Sequence, residues 1–150
     1  MNIDIANNQS SLNFSSSSIR PIVEQVLKNE DCSCDEISIN FVDQATICQL
    51  HLDYFNDPSP TDCITIPIDE EEESCYRLLG EIFICPQAAI DYVASHQGDV
   101  YLELTLYLVH GLLHLLGYDD IDPCERKLMR KAEERHMQNL ITLKLTIKES

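Results

Sequence analysis

The segment His110-Gly111-Leu112-Leu113-His114-Leu115-Leu116-Gly117-Tyr118-Asp119-Asp120 holds the side chains best suited to chemistry in this 150-residue chain. Histidines at i and i+4 lie one turn apart on the same helical face, so both imidazoles can reach a single ion. Gly117 can adopt the left-handed conformation that ends a helix, turning the chain back to offer an oxygen ligand from Asp119 or Asp120. Three protein ligands with a fourth position left open is the pattern of a catalytic zinc site, whereas structural sites are closed by four. Two histidines on an apolar helix are often no more than satisfied core or surface residues. Here the flanking residues are almost all leucine, so a buried imidazole would need a partner. The glycine and the acids also follow where a ligand-bearing turn requires them.

The same stretch resembles the signature of the YbeY family, bacterial endoribonucleases of ribosomal RNA maturation, which reads H-G-x-L-H-L-x-G-Y-D-H. Ten of the eleven positions agree, counting the free ones. The resemblance continues in Leu78-Leu79-Gly80-Glu81-Ile82, similar to the family's L-L-G-D-[IVL] strand. Tyr54 with Thr61-Asp62-Cys63-Ile64-Thr65 is similar to its Y-R…T-[DN]-V-L-S segment, and Ile37 to Val42 matches in pattern only. It covers residues 36–137 and implies an α/β (α+β) fold with a metal-binding cleft.

The resemblance implies that His110, His114 and Asp120 hold one Zn²⁺ ion. It also implies a zinc-dependent, single-strand-specific endoribonuclease acting in late 16S rRNA 3′-end maturation and ribosome biogenesis. The implied partners are single-stranded or ribosomal RNA, with the small ribosomal subunit or assembly factors, and neither DNA nor a membrane.

Two departures from the family pattern matter, and both fall on functional positions. Asp120 stands where the family has its third histidine. A carboxylate is an acceptable zinc ligand, but its charge makes the ion a weaker Lewis acid and the bound water less acidic. Phe55 stands where the family has an arginine after the tyrosine. An aromatic ring cannot neutralise a phosphate, though it can stack on a base.

These departures keep a second function class open: a ribosome-assembly factor of the same fold with lost or weakened cleavage. A zinc peptidase is a third reading, because HxxxHxxGxxD resembles metzincin spacing. Such enzymes carry a glutamate general base directly after the first histidine; here that residue is Gly111.

Composition sets the outer bounds. Hydrophobic residues make up 44% and charged residues 24%, as in ordinary globular proteins, and the length suits one domain spanning 1–150. Neither a secretory signal nor an apolar run of membrane-spanning length is evident, which predicts a cytoplasmic protein. The seven cysteines form no CxxC pair, and an odd count without a signal argues for reduced thiols. Cys48, Cys63 and Cys85 sit in apolar patterns and read as small core residues.

The net charge of −16 is unfavourable for nucleic acid, but residues 126–150 carry seven of the ten basic side chains and only three of the 26 acidic ones. Arg126, Lys127, Arg130 and Lys131, spaced i, i+4 just after the histidine segment, form a candidate RNA-contacting strip. The alternative is a solvated face with internal pairs such as Lys131 with Glu134.

The positioning elements follow from periodicity. Strands are predicted over 2–6, 37–42, 63–68 and 79–85, with Pro67 placing the third at a sheet edge or terminus. Helices are predicted after Ser18, after Asp43 as N-cap, from Pro86 through Ser95, over 100–116, and from Asp122-Pro123 to about Leu140. Leu102, Leu104, Leu106 and Leu108 alternate like a strand, but the length and later leucine spacing favour a buried helix. Asp69 to Glu73 reads as a solvated acidic loop. Asp119 is read either as a hydrogen-bond partner of a ligand histidine or as a turn residue, and Tyr118 as packing.

Overall fold

The computed structural model describes residues 1–68 and 77–150, so the predicted acidic loop at 69–73 lies outside the described residues. The chain runs β1 (Asn2–Asn8), α1 (Ile19–Asn29), β2 (Glu36–Val42), α2 (Gln44–Phe55), β3 (Cys63–Pro67), β4 (Leu78–Ile84), α3 (Pro86–His96), α4 (Val100–Leu115) and α5 (Pro123–Leu143). A single 3₁₀ turn, Ser16–Ser18, leads into α1. The four strands form one mixed sheet in the order β1-β2-β4-β3. β1 pairs parallel with β2 and β2 with β4, while β3 runs antiparallel to β4. Pro67, in register with Gly80, ends β3 at the edge of the sheet, where a residue without an N–H is tolerated.

Alternation along the strands sorts the core into two layers. Ile37, Ile39 and Phe41 of β2 join Ile82 and Ile84 of β4 in a cluster with α1 and α4. On the opposite face Val42 and Ile64 pack with Ile47 of α2 and with Cys85. α4 is the central helix and touches α1, α3, α5, β3 and β4. Its Leu104, Leu108, Leu112 and Leu113 are fully buried. That burial on several sides explains why its first half lacks a clean amphipathic stripe and alternates like a strand.

Two glycines set how closely α4 approaches the sheet. A Cβ on Gly111 would stand 2.8 Å from Cγ2 of Ile82 and 3.0 Å from Sγ of Cys63. A Cβ on Gly80 (φ +148°) would meet the Ile66 carbonyl oxygen at 2.6 Å and Cδ2 of Leu115 at 2.8 Å. Side chains at either position would push the histidine-bearing helix off the strands.

The residues after α5 are anchored rather than loose. Ile147 is buried, and its N–H donates to Oγ1 of Thr105 on α4 at 3.0 Å. The Ser15 N–H donates to the Lys148 carbonyl at 2.8 Å. No helix among the described residues is long and apolar enough to cross a membrane, and the six described cysteines are free.

Candidate metal centre

α4 begins with Asp99, whose side chain accepts from the Tyr101 N–H, and it delivers His110 and His114 to one face in its last two turns. Termination brings in the third residue. The Gly117 N–H donates to the His114 carbonyl and the Tyr118 N–H to that of Leu113, at 3.1 and 3.0 Å. With Gly117 at φ +103°, this is the Schellman arrangement. The chain reverses, and Asp120 returns to the histidines.

Nε2 of His110 and Nε2 of His114 lie 3.0 Å apart, and Oδ2 of Asp120 is 3.7 Å from each. A triangle of that size has a point about 2.0 Å from every corner, the bond length of a small divalent metal to imidazole nitrogen or carboxylate oxygen. Among the described residues this is the one group of three or more His, Cys, Asp or Glu side chains whose ligand atoms converge. The three side chains suit a metal ion in both donor type and spacing.

His110 is gripped from behind. Oε1 of Glu133, on α5, lies 3.6 Å from its Nδ1, and Glu133 is only 4% exposed. Burial pulls the His110 imidazole pKa down, but the carboxylates of Glu133, Asp62 and Asp120 outweigh it and hold the pKa above its ordinary value. A carboxylate facing Nδ1 favours a proton there and leaves Nε2 turned toward His114 and Asp120. Glu133 also takes Nη1 of Arg130 at 3.0 Å.

Nothing in the sequence pattern around Glu133 marks it, and the sequence reading missed it. Asp119, read as either such a partner or a turn residue, takes the turn role: its Oδ1 accepts the Asp120 N–H at 2.8 Å.

The basic strip divides on inspection. Arg126 folds back onto the ligand turn, with Nε on the Asp120 carbonyl and Nη2 on the Ile121 carbonyl, both at 3.2 Å. It is a clamp rather than a free surface cation. Arg130 lines a cleft of about 470 Å³ together with Asp62, Tyr92, Glu103, His110 and Asp120. Lys127 and Lys131 are exposed, and no ion pair joins Lys131 to Glu134 among the described residues.

Tyr118 packs against the core and donates its hydroxyl to Oε1 of Glu30 at 2.6 Å. Arg135 and His136 of α5 hold the other oxygen of Glu30, each at 3.0 Å.

A second cleft, of about 370 Å³, opens on the other side of the cluster. His110, His114 and Asp120 line it, with Phe55, Thr65 and Ile121. Phe55 therefore borders the site, as its place in the Y-R segment implies. Gly111 faces the strands and not the cleft, so the position that carries the glutamate base in zinc peptidases has no room for one here.

A sequence model of the Endoribonuclease YbeY family matches residues 4–141. The chain belongs to the YbeY endoribonuclease family. A YbeY relative from Protochlamydia amoebophila is 56% identical over 146 residues, covering 97% of both chains. One from Chlamydia abortus is 39% identical, covering 90% of this chain and 88% of its own. Another, from Chlamydia trachomatis, is 37% identical, with 88% and 83% covered. All three are named Endoribonuclease YbeY. The fold is similar to the solution structure of TM1509 from Thermotoga maritima, with a TM-score of 0.64 at 24% identity over 91% of this chain and 87% of that one.

Proposed function

We propose that this YbeY-family chain is a zinc-dependent endoribonuclease that cuts single-stranded RNA during ribosomal RNA maturation in the cytoplasm. The 3′ end of 16S rRNA, on the small ribosomal subunit, is its proposed target. The observation that carries the reading is the convergence of His110, His114 and Asp120 on one point at the junction of two open clefts. The donor set, two imidazole nitrogens and one carboxylate oxygen, is that of catalytic rather than structural zinc. Bound there, an ion would supply Lewis acidity to the reacting phosphodiester.

The chain's own residues do the positioning. Glu133 orients His110, and the Arg126 clamp and the Gly117 reversal hold Asp120. Arg130 is the cation lining the cleft beside His110 and is assigned to the substrate's phosphates, with Lys127 and Lys131 further along the same helix.

Metal analysis of protein purified without chelator, compared with His114→Ala, tests the site; equal metal content in both would remove it. Cleavage of a labelled single-stranded RNA, compared with His110→Ala, tests the activity. Cleavage that persists unchanged in the variant would remove the assignment.

One observation favours a second reading, an assembly factor with weakened cleavage: Phe55 sits at the lip of the cleft where the family pattern has a cation. Tight binding to small-subunit RNA with no cleavage by metal-loaded protein would select it.

A further inference from the structure

The lips of the Phe55 cleft are apolar and uncovered. Phe55 is 57% exposed and Ile121 is 78% exposed, and both line the cleft that contains His110, His114 and Asp120. They set an apolar rim beside the polar cluster. Both are also anchored through their backbone or neighbours. Phe55 is the last residue of α2, before Asn56 takes the left-handed conformation at φ 56°. Its ring meets the edge of His51 with centroids 5.7 Å apart, and His51 is fixed by a 2.8 Å bond between Nδ1 and the Ser59 carbonyl. The Ile121 carbonyl is held by Arg126. The two side chains are presented by fixed segments.

The charges decide what occupies the space. Among the described residues no lysine or arginine lines this cleft, whereas Asp119 and Asp120 do. Its partner cleft, sharing His110 and Asp120, contains Arg130. Asp119 and Asp120 disfavour a phosphate on the Phe55 side, so a polyanion crossing the site presents an uncharged part there; in the partner cleft Arg130 stands among Asp62, Glu103, Asp120 and Glu133.

We infer that Phe55 and Ile121 form a stacking subsite for one unpaired nucleobase adjacent to the scissile phosphate. This rests on the RNA-cutting reading above and adds to it. Such a site accepts any base with a free π-face and rejects bases held in a duplex. Single-strand preference then comes from this lip and not from charge.

The chain has no tryptophan, so Phe55→Trp introduces a sole indole at the subsite. Metal-loaded Phe55→Trp protein is mixed with a single-stranded octaribonucleotide, and fluorescence is read before cleavage. A parallel mix uses an abasic octamer of the same charge. Quenching by the first and not the second is the expected result. Phe55→Ala should raise KM for the octamer about tenfold with kcat little changed, and Phe55→Trp should restore it.

Equal quenching by the abasic strand would overturn the subsite, because the contact would then be to the backbone. Absence of quenching while the octamer is still cut overturns it too and leaves the nuclease reading standing. Quenching by a ribosomal protein but not by the octamer would replace the base with a protein partner. If the octamer is neither bound nor cut, both readings fall.

Discussion

The Glu133 carboxylate lies 3.6 Å from Nδ1 of His110, although the two residues belong to different helices. Glu133→Gln keeps the shape and removes the charge that fixes the imidazole. Ion affinity should fall by about 10- to 100-fold, the usual cost of losing such a partner. Competition against a chromogenic chelator checks this; an unchanged dissociation constant would show that His110 needs no support.

Gly111→Ala sets two effects against each other. Alanine in place of glycine in a helix gains about 1 kcal/mol. Against it, the new methyl would stand 2.8 Å from Ile82 and 3.0 Å from Cys63, and overpacking a tight core costs about 1–3 kcal/mol. The steric cost should win, lowering the urea midpoint and loosening the ion. A stabilised variant would mean that α4 can shift freely on the sheet.

Arg126 and Lys127 are neighbours with different expected roles. Arg126→Ala releases the Asp120 and Ile121 carbonyls, so ion retention should drop while the helix stays folded. Lys127→Ala should leave ion retention intact and flatten the salt dependence of RNA binding, with a slope change of about 0.7 for one lost contact. Identical behaviour of the two variants would erase the distinction.

Glu30 gives the fold an acid-sensitive joint. Burial alone would push its carboxyl pKa up, but bonds from Tyr118, His136 and Arg135 prevail and hold it below the ordinary value near 4.5. A lowered folded-state pKa means stabilisation that is fully present above the unfolded value and is lost as pH falls through the folded one. Urea titrations from neutral pH down to about pH 3 should show Glu30→Gln less stable than the native chain at neutral pH. The gap should close at the acid end. A constant gap at every pH would exclude the charge as its source.

The convergence of His110, His114 and Asp120 was legible because its signals are local: an i, i+4 histidine pair, a helix-ending glycine and an acid just beyond. The strand order was less so, since alternation reveals a strand's faces but not its neighbours. Glu133 was invisible because only the packing of α5 on α4 brings it to His110. The basic strip misled at Arg126, because spacing along a helix does not show that a first-turn cation bends back to the preceding carbonyls. The segment after Leu140 gave no clear signal either, since its order comes from contacts with Thr105 and Ser15, far away in sequence.

One helix supplies nearly every brace of the centre. α5 provides the Arg126 clamp, the Glu133 carboxylate, and the Arg135 and His136 grip on Glu30. All of these residues are made after the three ligand candidates. A nascent chain still emerging from the ribosome would therefore carry the full ligand set with its scaffolding unfinished. Until α5 has packed against α4, the three side chains would stand without the contacts that hold them together.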